Sequence, residues 1–196
     1  MNNYQKQIEQ INNLVGRPTL LLHVCCGVCS VYPLLYLRKY FDITIYFSNS
    51  NIYPYEEFLR RLDALQTYLK VLNDDSIKLI IGKYDYDAYD EKLKEHASDP
   101  EGGTRCRICY SLRMKETFKY AFENHYDYAT TVMTISNHKN AEAINAIGEE
   151  LEKMYPSVKY LHTDLKKNDG ITMNEKLNKE LNLYHQNYCG CKYSKR

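Results

Sequence analysis

Short runs of apolar and β-branched residues alternate with longer stretches of helical period along this chain. The runs are Thr19–Val24 (TLLLHV), Asp42–Phe47 (DITIYF), Ile77–Gly82 (IKLIIG), Tyr128–Ile135 (YATTVMTI) and Val158–Thr163 (VKYLHT). Their near-continuous apolar character suits strands covered on both faces, as in a parallel sheet. Helical patterns fill the intervals at about Cys29–Tyr40, Tyr55–Leu72, Tyr86–His96, Ile108–His125 and Lys139–Met154. A further helix at Asn3–Leu14 precedes the first strand, and one at about Met173–Asn182 follows the last. Five β–α alternations predict an α/β fold with an open, doubly wound, mostly parallel five-stranded sheet. There is no internal repeat and no linker, so residues 1–196 read as one metal-binding domain.

The length of 196 residues is enough for one proper core. The N-terminal stretch MNNYQKQIEQINNL is polar and lacks the apolar segment of a signal peptide. No apolar run approaches the roughly 18 residues that span a bilayer. These features predict a cytoplasmic protein with no membrane partner. A formal net charge of +1 excludes a generally basic nucleic-acid binder while leaving room for a local basic patch. Basic residues do gather near the cysteines: Arg105, Arg107, Arg113 and Lys115, then Lys166 and Lys167, then Lys192, Lys195 and Arg196. Taken singly, each is an ordinary solvated charge. Tyrosine is abundant at 20 residues, and Tyr53 and Tyr55 stand in turn-like sequence where rings can stack on a base.

Candidate chemistry changes the picture most. All seven cysteines fall in three tight clusters: Cys25, Cys26 and Cys29; Cys106 and Cys109; Cys189 and Cys191. In a reducing compartment, closely spaced thiols are metal ligands or catalytic groups more often than disulfides, and an odd count disfavours full pairing. Thiolate suits zinc and iron–sulfur clusters. A tetrahedral metal takes four ligands, so seven is too many for one site and one short of two. A second metal, or an open coordination position, follows. The first cluster leaves the carboxyl end of the first strand, where open α/β sheets hold their ligands. No G-x-G-x-x-G or Walker-type loop occupies that turn, which argues against nucleotide hydrolysis.

Cys106-Arg-Ile-Cys109 is placed at a loop-to-helix junction, where backbone N–H groups and the helix dipole favour thiolate. A thioredoxin-like redox pair is the alternative, and it leaves the other five cysteines unexplained. Gly190 gives Cys189-Gly-Cys191 backbone freedom. The adjacent pair Cys25-Cys26 needs a turn if both thiols are to meet one metal; each alone would read as a buried apolar thiol. Asp164, expected at the end of the fifth strand, is a candidate ligand, proton relay or turn cap. His23 reads as a hydrogen-bonded core histidine. His185, with Tyr184 and Tyr188 beside it, is a candidate substrate contact or a surface residue.

Five segments together resemble the QueH-type epoxyqueuosine reductases. They are LLLHVCCGVCS at 20–30, YFSNSNIYPYEEFLRR at 46–61, GGTRCRICYSLRMKET at 102–117, TTVMTISNHKNAEAINAIG at 130–148 and YHQNYCGCKYS at 184–194. The ordered set CC-x-x-C, C-x-x-C and C-G-C, with NIYP between the first two, carries the resemblance. Gly27-Val28 stand where the family often has Ala-Pro, Asn137 where it has proline, and His185 where it has arginine.

The resemblance implies a HUP-like (adenine nucleotide alpha hydrolase-like) fold. It also implies reduction of epoxyqueuosine to queuosine at the wobble position of tRNA, and a 4Fe–4S cluster beside a mononuclear iron. Cys25, Cys26, Cys106, Cys109, Cys189 and Cys191 are the expected cofactor ligands, with Cys29 the seventh metal ligand; their partition between cluster and iron stays open. Removing the oxygen takes two electrons and two protons. An unidentified low-potential donor would supply the electrons, and Asp164 or a tyrosine the protons. Arg105, Arg107, Lys166, Lys167 and the basic tail are expected to hold the tRNA phosphates. A zinc-stabilised RNA-binding module without redox activity is the rival from another class. An ATP-using tRNA-modifying enzyme is a second rival, and it lacks its phosphate loop here.

Overall fold

A computed structural model describes residues 1–195; Arg196, read above as part of the basic tail, lies outside the described residues. The five strands are β1 (Thr19–His23), β2 (Asp42–Phe47), β3 (Lys78–Ile81), β4 (Tyr128–Thr131) and β5 (Lys159–Tyr160). They form one sheet in the order β3-β2-β1-β4-β5, and every pairing is parallel. The order reverses between β1 and β4, so the crevice for a ligand lies outside the carboxyl ends of those two strands. This is the doubly wound, HUP-like arrangement expected.

The run Leu20-Leu21-Leu22 explains the layering. Side chains alternate between faces along a strand. Leu20 and Leu22 enter one core with Val31, Leu34 and Leu65, and Leu21 enters the other with Phe118 and Ile144. All three leucines are fully buried, each contributing about 1.5–3 kcal/mol relative to exposure. The first core belongs to α2 (Gly27–Leu37) and α3 (Tyr55–Leu72), the second to α5 (Thr104–Glu123) and α6 (Ala141–Met154). The remaining helices are α1 (Asn3–Asn12), α4 (Tyr86–Glu91) and α7 (Gly170–Leu181). Short 3₁₀ turns follow α4 at Lys94–His96, β4 at Val132–Ile135 and the C-G-C motif at Lys192–Ser194.

Several boundaries differ from the sequence expectation. The fourth strand ends at Thr131 because the Thr131 hydroxyl accepts the Met133 N–H (3.1 Å) and turns the chain into a 3₁₀ helix. The fifth strand shrinks to Lys159–Tyr160, since side chains take over the backbone beyond it. His162 N–H donates to Gln10 and Thr163 N–H to Asn145. The Tyr86–His96 helix divides into α4 and a 3₁₀ turn, and α6 starts at Ala141, capped by Asn140. Helices α2, α5 and α7 begin earlier, at Gly27, Thr104 and Gly170. The first two of these shifts bring cysteines into first turns.

Candidate metal centre

The site is built from the carboxyl end of β1 outward. His23 is fully buried, with Nδ1 2.8 Å from Thr131 Oγ1 and Nε2 3.2 Å from the Ser48 carbonyl. A carbonyl only accepts, so Nε2 carries the proton and Nδ1 accepts from the threonine. Burial, and then Arg113, lower its pKa to about 3, so it is a neutral core histidine that ties β1 to its neighbours. Cys26 is still extended (φ −170°, ψ 161°), and α2 starts at the next residue. This break turns adjacent side chains toward one point. The sulfurs of Cys25, Cys26 and Cys29 all lie within 4.8 Å of one another, and those of Cys25 and Cys26 are 3.7 Å apart. Cys26 and then Cys29 hold Cys25 toward thiolate, while Cys25 and then Cys26 push Cys29 up.

Pro33 inside α2 shapes the first turn that carries Cys29. A mid-helix proline lacks an N–H and crowds the carbonyl four residues back. That carbonyl belongs to Cys29, and side chains of α7 bond the residues beside it. Asn174 accepts from Tyr32 N–H (3.1 Å), and Asn174 and Asn178 each donate to the Val28 carbonyl (2.9 Å).

Cys106 and Cys109 sit in the first two turns of α5, and Cys189 and Cys191 on the C-terminal segment. These four line a small apolar space with Leu93 and Tyr110. Gly102 N–H donates to Cys106 Sγ (3.2 Å), and the Tyr89 hydroxyl, 2.9 Å from the Cys109 carbonyl, lies 3.3 Å from Cys109 Sγ. Burial raises both thiols, that of Cys109 to about 11. Thus the fold sorts seven cysteines into a group of three and a group of four.

The C-terminal segment is held in place by a buried ion pair. Arg61 Nε meets Glu57 at 2.7 Å, and its two terminal nitrogens donate to the Cys189 and Tyr188 carbonyls, each at 3.0 Å. Tyr53 N–H donates to the Gly190 carbonyl (2.8 Å). Gly190 has φ +119°, and a Cβ there would lie 3.0 Å from Arg61, so both backbone angle and space require glycine. Farther on, Asp90 takes Lys192 and the Tyr193 hydroxyl.

A cavity of about 1080 Å³ opens beside both groups, lined by Cys25, Cys29 and Cys189 together with Asn51, Arg113 and Lys139. Arg113 is 2% exposed, donates to Asn49 Oδ1 (2.7 Å), and has an Nε with no partner. No carboxylate pairs with it among the described residues. Burial opposes its charge, but Cys109 and Cys25 more than offset this and raise its pKa. A buried cation facing neutral thiols would be costly. Thiolates that bind metal and retain negative charge are what this donor set fits.

The other expected residues divide. His185 and Lys195 line the cavity. Arg107 and Lys167 are exposed and Lys166 half-buried. Tyr53 and Tyr55 are 42% and 48% exposed. Arg105, expected at a phosphate, is instead 3% exposed, with Nη1 bonded to the carbonyls of His96, Ala97 and Asp99, so it offers no surface charge. Asp164 is not among the residues lining the cavity; its Oδ1 is buried without a partner and its N–H donates to Gln7. Sequence reasoning passed over Asn51, Arg61, Lys139 and Gln186, whose amide donates to Cys26 Sγ (3.1 Å). Only Arg61 carried a local signal, its i,i+4 spacing from Glu57.

Fold and site together define a doubly wound α/β protein with two thiol groups at the switch point of its sheet. A family model described as epoxyqueuosine reductase QueH matches residues 20–196. The chain is 37% identical over 199 residues to the epoxyqueuosine reductase QueH of Streptococcus pyogenes serotype M1, covering 98% of this chain and 78% of that one. It is 38% identical over 195 residues to the protein of that name from Staphylococcus epidermidis, covering 97% and 82%. The figures for Staphylococcus aureus are 38% over 195 residues, 97% and 81%. The chain belongs to the QueH epoxyqueuosine reductase family, and is an oxidoreductase. Among the described residues no helix is long and apolar enough to cross a membrane.

Proposed function

We propose that this protein reduces epoxyqueuosine to queuosine at the wobble position of tRNA. In this reading Cys106, Cys109, Cys189 and Cys191 hold a 4Fe–4S cluster, and Cys25, Cys26 and Cys29 hold a single iron with a position left open. The observation that carries it is three thiols within 4.8 Å of one another, four along a small neighbouring space, and a cavity on which Cys25, Cys29 and Cys189 open. Four thiolates complete a cluster, and three leave room for a substrate oxygen. When bound, the irons supply single electrons and a Lewis-acidic position.

The chain's own residues do the rest. Arg113 sets positive charge beside the thiolates, and Gln186 donates to Cys26 Sγ. The base, splayed from the anticodon loop, enters the cavity, as single-stranded RNA recognition requires. Tyr53 and Tyr55 offer exposed rings for neighbouring bases, and Arg107, Lys166, Lys167 and Lys195 offer charge for phosphates. Two electrons from a low-potential donor protein and two protons convert the epoxide to an alkene and one water.

The test is anaerobic iron loading of the wild type, Cys106→Ser and Cys29→Ser, followed by metal analysis, visible spectrum and turnover of epoxyqueuosine tRNA. The expected result is loss of the iron–sulfur absorption in C106S, and in C29S its retention with less iron and no turnover. A colourless wild type that binds zinc and no iron would overturn the reading.

A further inference from the structure

The reaction delivers two protons to one oxygen inside a cavity, and the groups able to do so can be sorted by position. Asp164 is outside the lining. Tyr188 lines the cavity, but its hydroxyl is spent on the Tyr53 carbonyl (2.5 Å). Glu101, His138, Glu175 and His185 also line it and are exposed to solvent. Lys139 is the exception. It lines the cavity with Cys25, Cys29 and Cys189, is half-buried, and its ammonium has no hydrogen-bond or carboxylate partner among the described residues. Lys179 and Lys195 also line the cavity, and both are exposed to solvent.

The backbone around Lys139 is fixed. Its N–H donates to the Ser136 carbonyl (3.3 Å), its carbonyl accepts from Lys166 Nζ (3.4 Å), and the next residue caps α6. An ammonium with unspent N–H donors, carried by an anchored backbone on the cavity wall shared with both thiol groups, is a device for an oxygen that gains negative charge.

We infer that Lys139 is a catalytic acid: its ammonium hydrogen-bonds the epoxide oxygen and gives it a proton as a carbon–oxygen bond breaks. This rests on the function proposed above. Two electrons come from a low-potential one-electron donor protein. Both carbon–oxygen bonds break, the carbon–carbon double bond forms, and the oxygen leaves as water. Its first proton comes from Lys139 and its second from solvent, which also reprotonates the amine.

The experiment compares iron-loaded wild type, Lys139→Ala and Lys139→Arg under anaerobic conditions, with propylammonium added to each. Both variants should keep wild-type iron content, spectrum and tRNA affinity. Turnover should fall by about 10²–10⁴-fold, the usual worth of a general acid. Propylammonium should restore part of the rate to K139A alone, and K139R, which keeps charge but cannot release a proton, should stay slow. Wild-type turnover in K139A or K139R overturns the assignment, as does a loss accounted for by missing iron or weakened tRNA binding. An inert wild type overturns the functional reading itself, which separates the two failures.

Discussion

Arg113 shows how one side chain is stabilising or costly according to what its neighbours carry. It is buried, bonded to Asn49 and short of a carboxylate, so in thiol surroundings its charge is poorly offset. Replacing such a group by an apolar residue of similar volume is often neutral or stabilising. Arg113→Met should therefore leave the metal-free protein within about 1 kcal/mol of wild type, or above it. The loaded protein should lose stability and release iron faster to a chelator. Urea unfolding of both forms measures the difference, and equal losses in both would contradict the charge argument. At this scale the cysteines were legible as ligands because their spacing is local. Arg113 read only as one of several basic residues, and Lys139 as none, because the burial of a charge depends on thiols that arrive from other elements. Asp164 stands off the sheet for a related reason: β5 ends at Tyr160, and after the Leu161 N–H bonds the Ala129 carbonyl the chain follows side chains from His162 onward.

Among elements, the join between α2 and α7 controls where Cys29 sits. Asn174 supplies both the acceptor for Tyr32 N–H and a donor to the Val28 carbonyl. Asn174→Ala leaves the Tyr32 N–H without its acceptor, a loss of about 1–3 kcal/mol. It should also weaken iron binding by the three-cysteine group more than by the four-cysteine group, read by iron analysis after partial chelation. The asparagines that bond this turn were not legible, because they lie on a helix far along the chain. A second join links α1, α6 and the end of β5, where Glu149 meets Lys6 at 2.6 Å and His162 at 2.8 Å. Lys6 first, and then His162, hold the Glu149 carboxyl below the ordinary glutamate range. A depressed carboxyl contributes stability above its unfolded pKa, about 4.3, and loses it as pH falls through the folded value. Glu149 is 39% exposed, so the contribution is below about 1 kcal/mol. Glu149→Gln should lower stability slightly at neutral pH and flatten its decline below about pH 5, as followed by thermal unfolding across that range.

For the whole molecule, the alternation of strands and helices was legible because buried parallel strands write themselves as apolar runs. The division of cysteines into three and four was not, because it depends on where residues 188–191 dock, and Arg61 decides that from α3. Metal bound to the native state alone stabilises it by mass action, so chelation should lower the midpoint of thermal unfolding and expose residues 188–194 to hydrogen exchange before the sheet. The cavity has a further consequence. On the proposed function, a chamber that takes in a nucleobase and opens on Cys25, Cys29 and Cys189 is also open to dioxygen. Oxidation follows thiolate character and access. A bound anticodon loop then acts as a stopper, and the protein should survive longer in air with epoxyqueuosine tRNA present than without it. The cell's supply of substrate would set the lifetime of the enzyme as well as its rate.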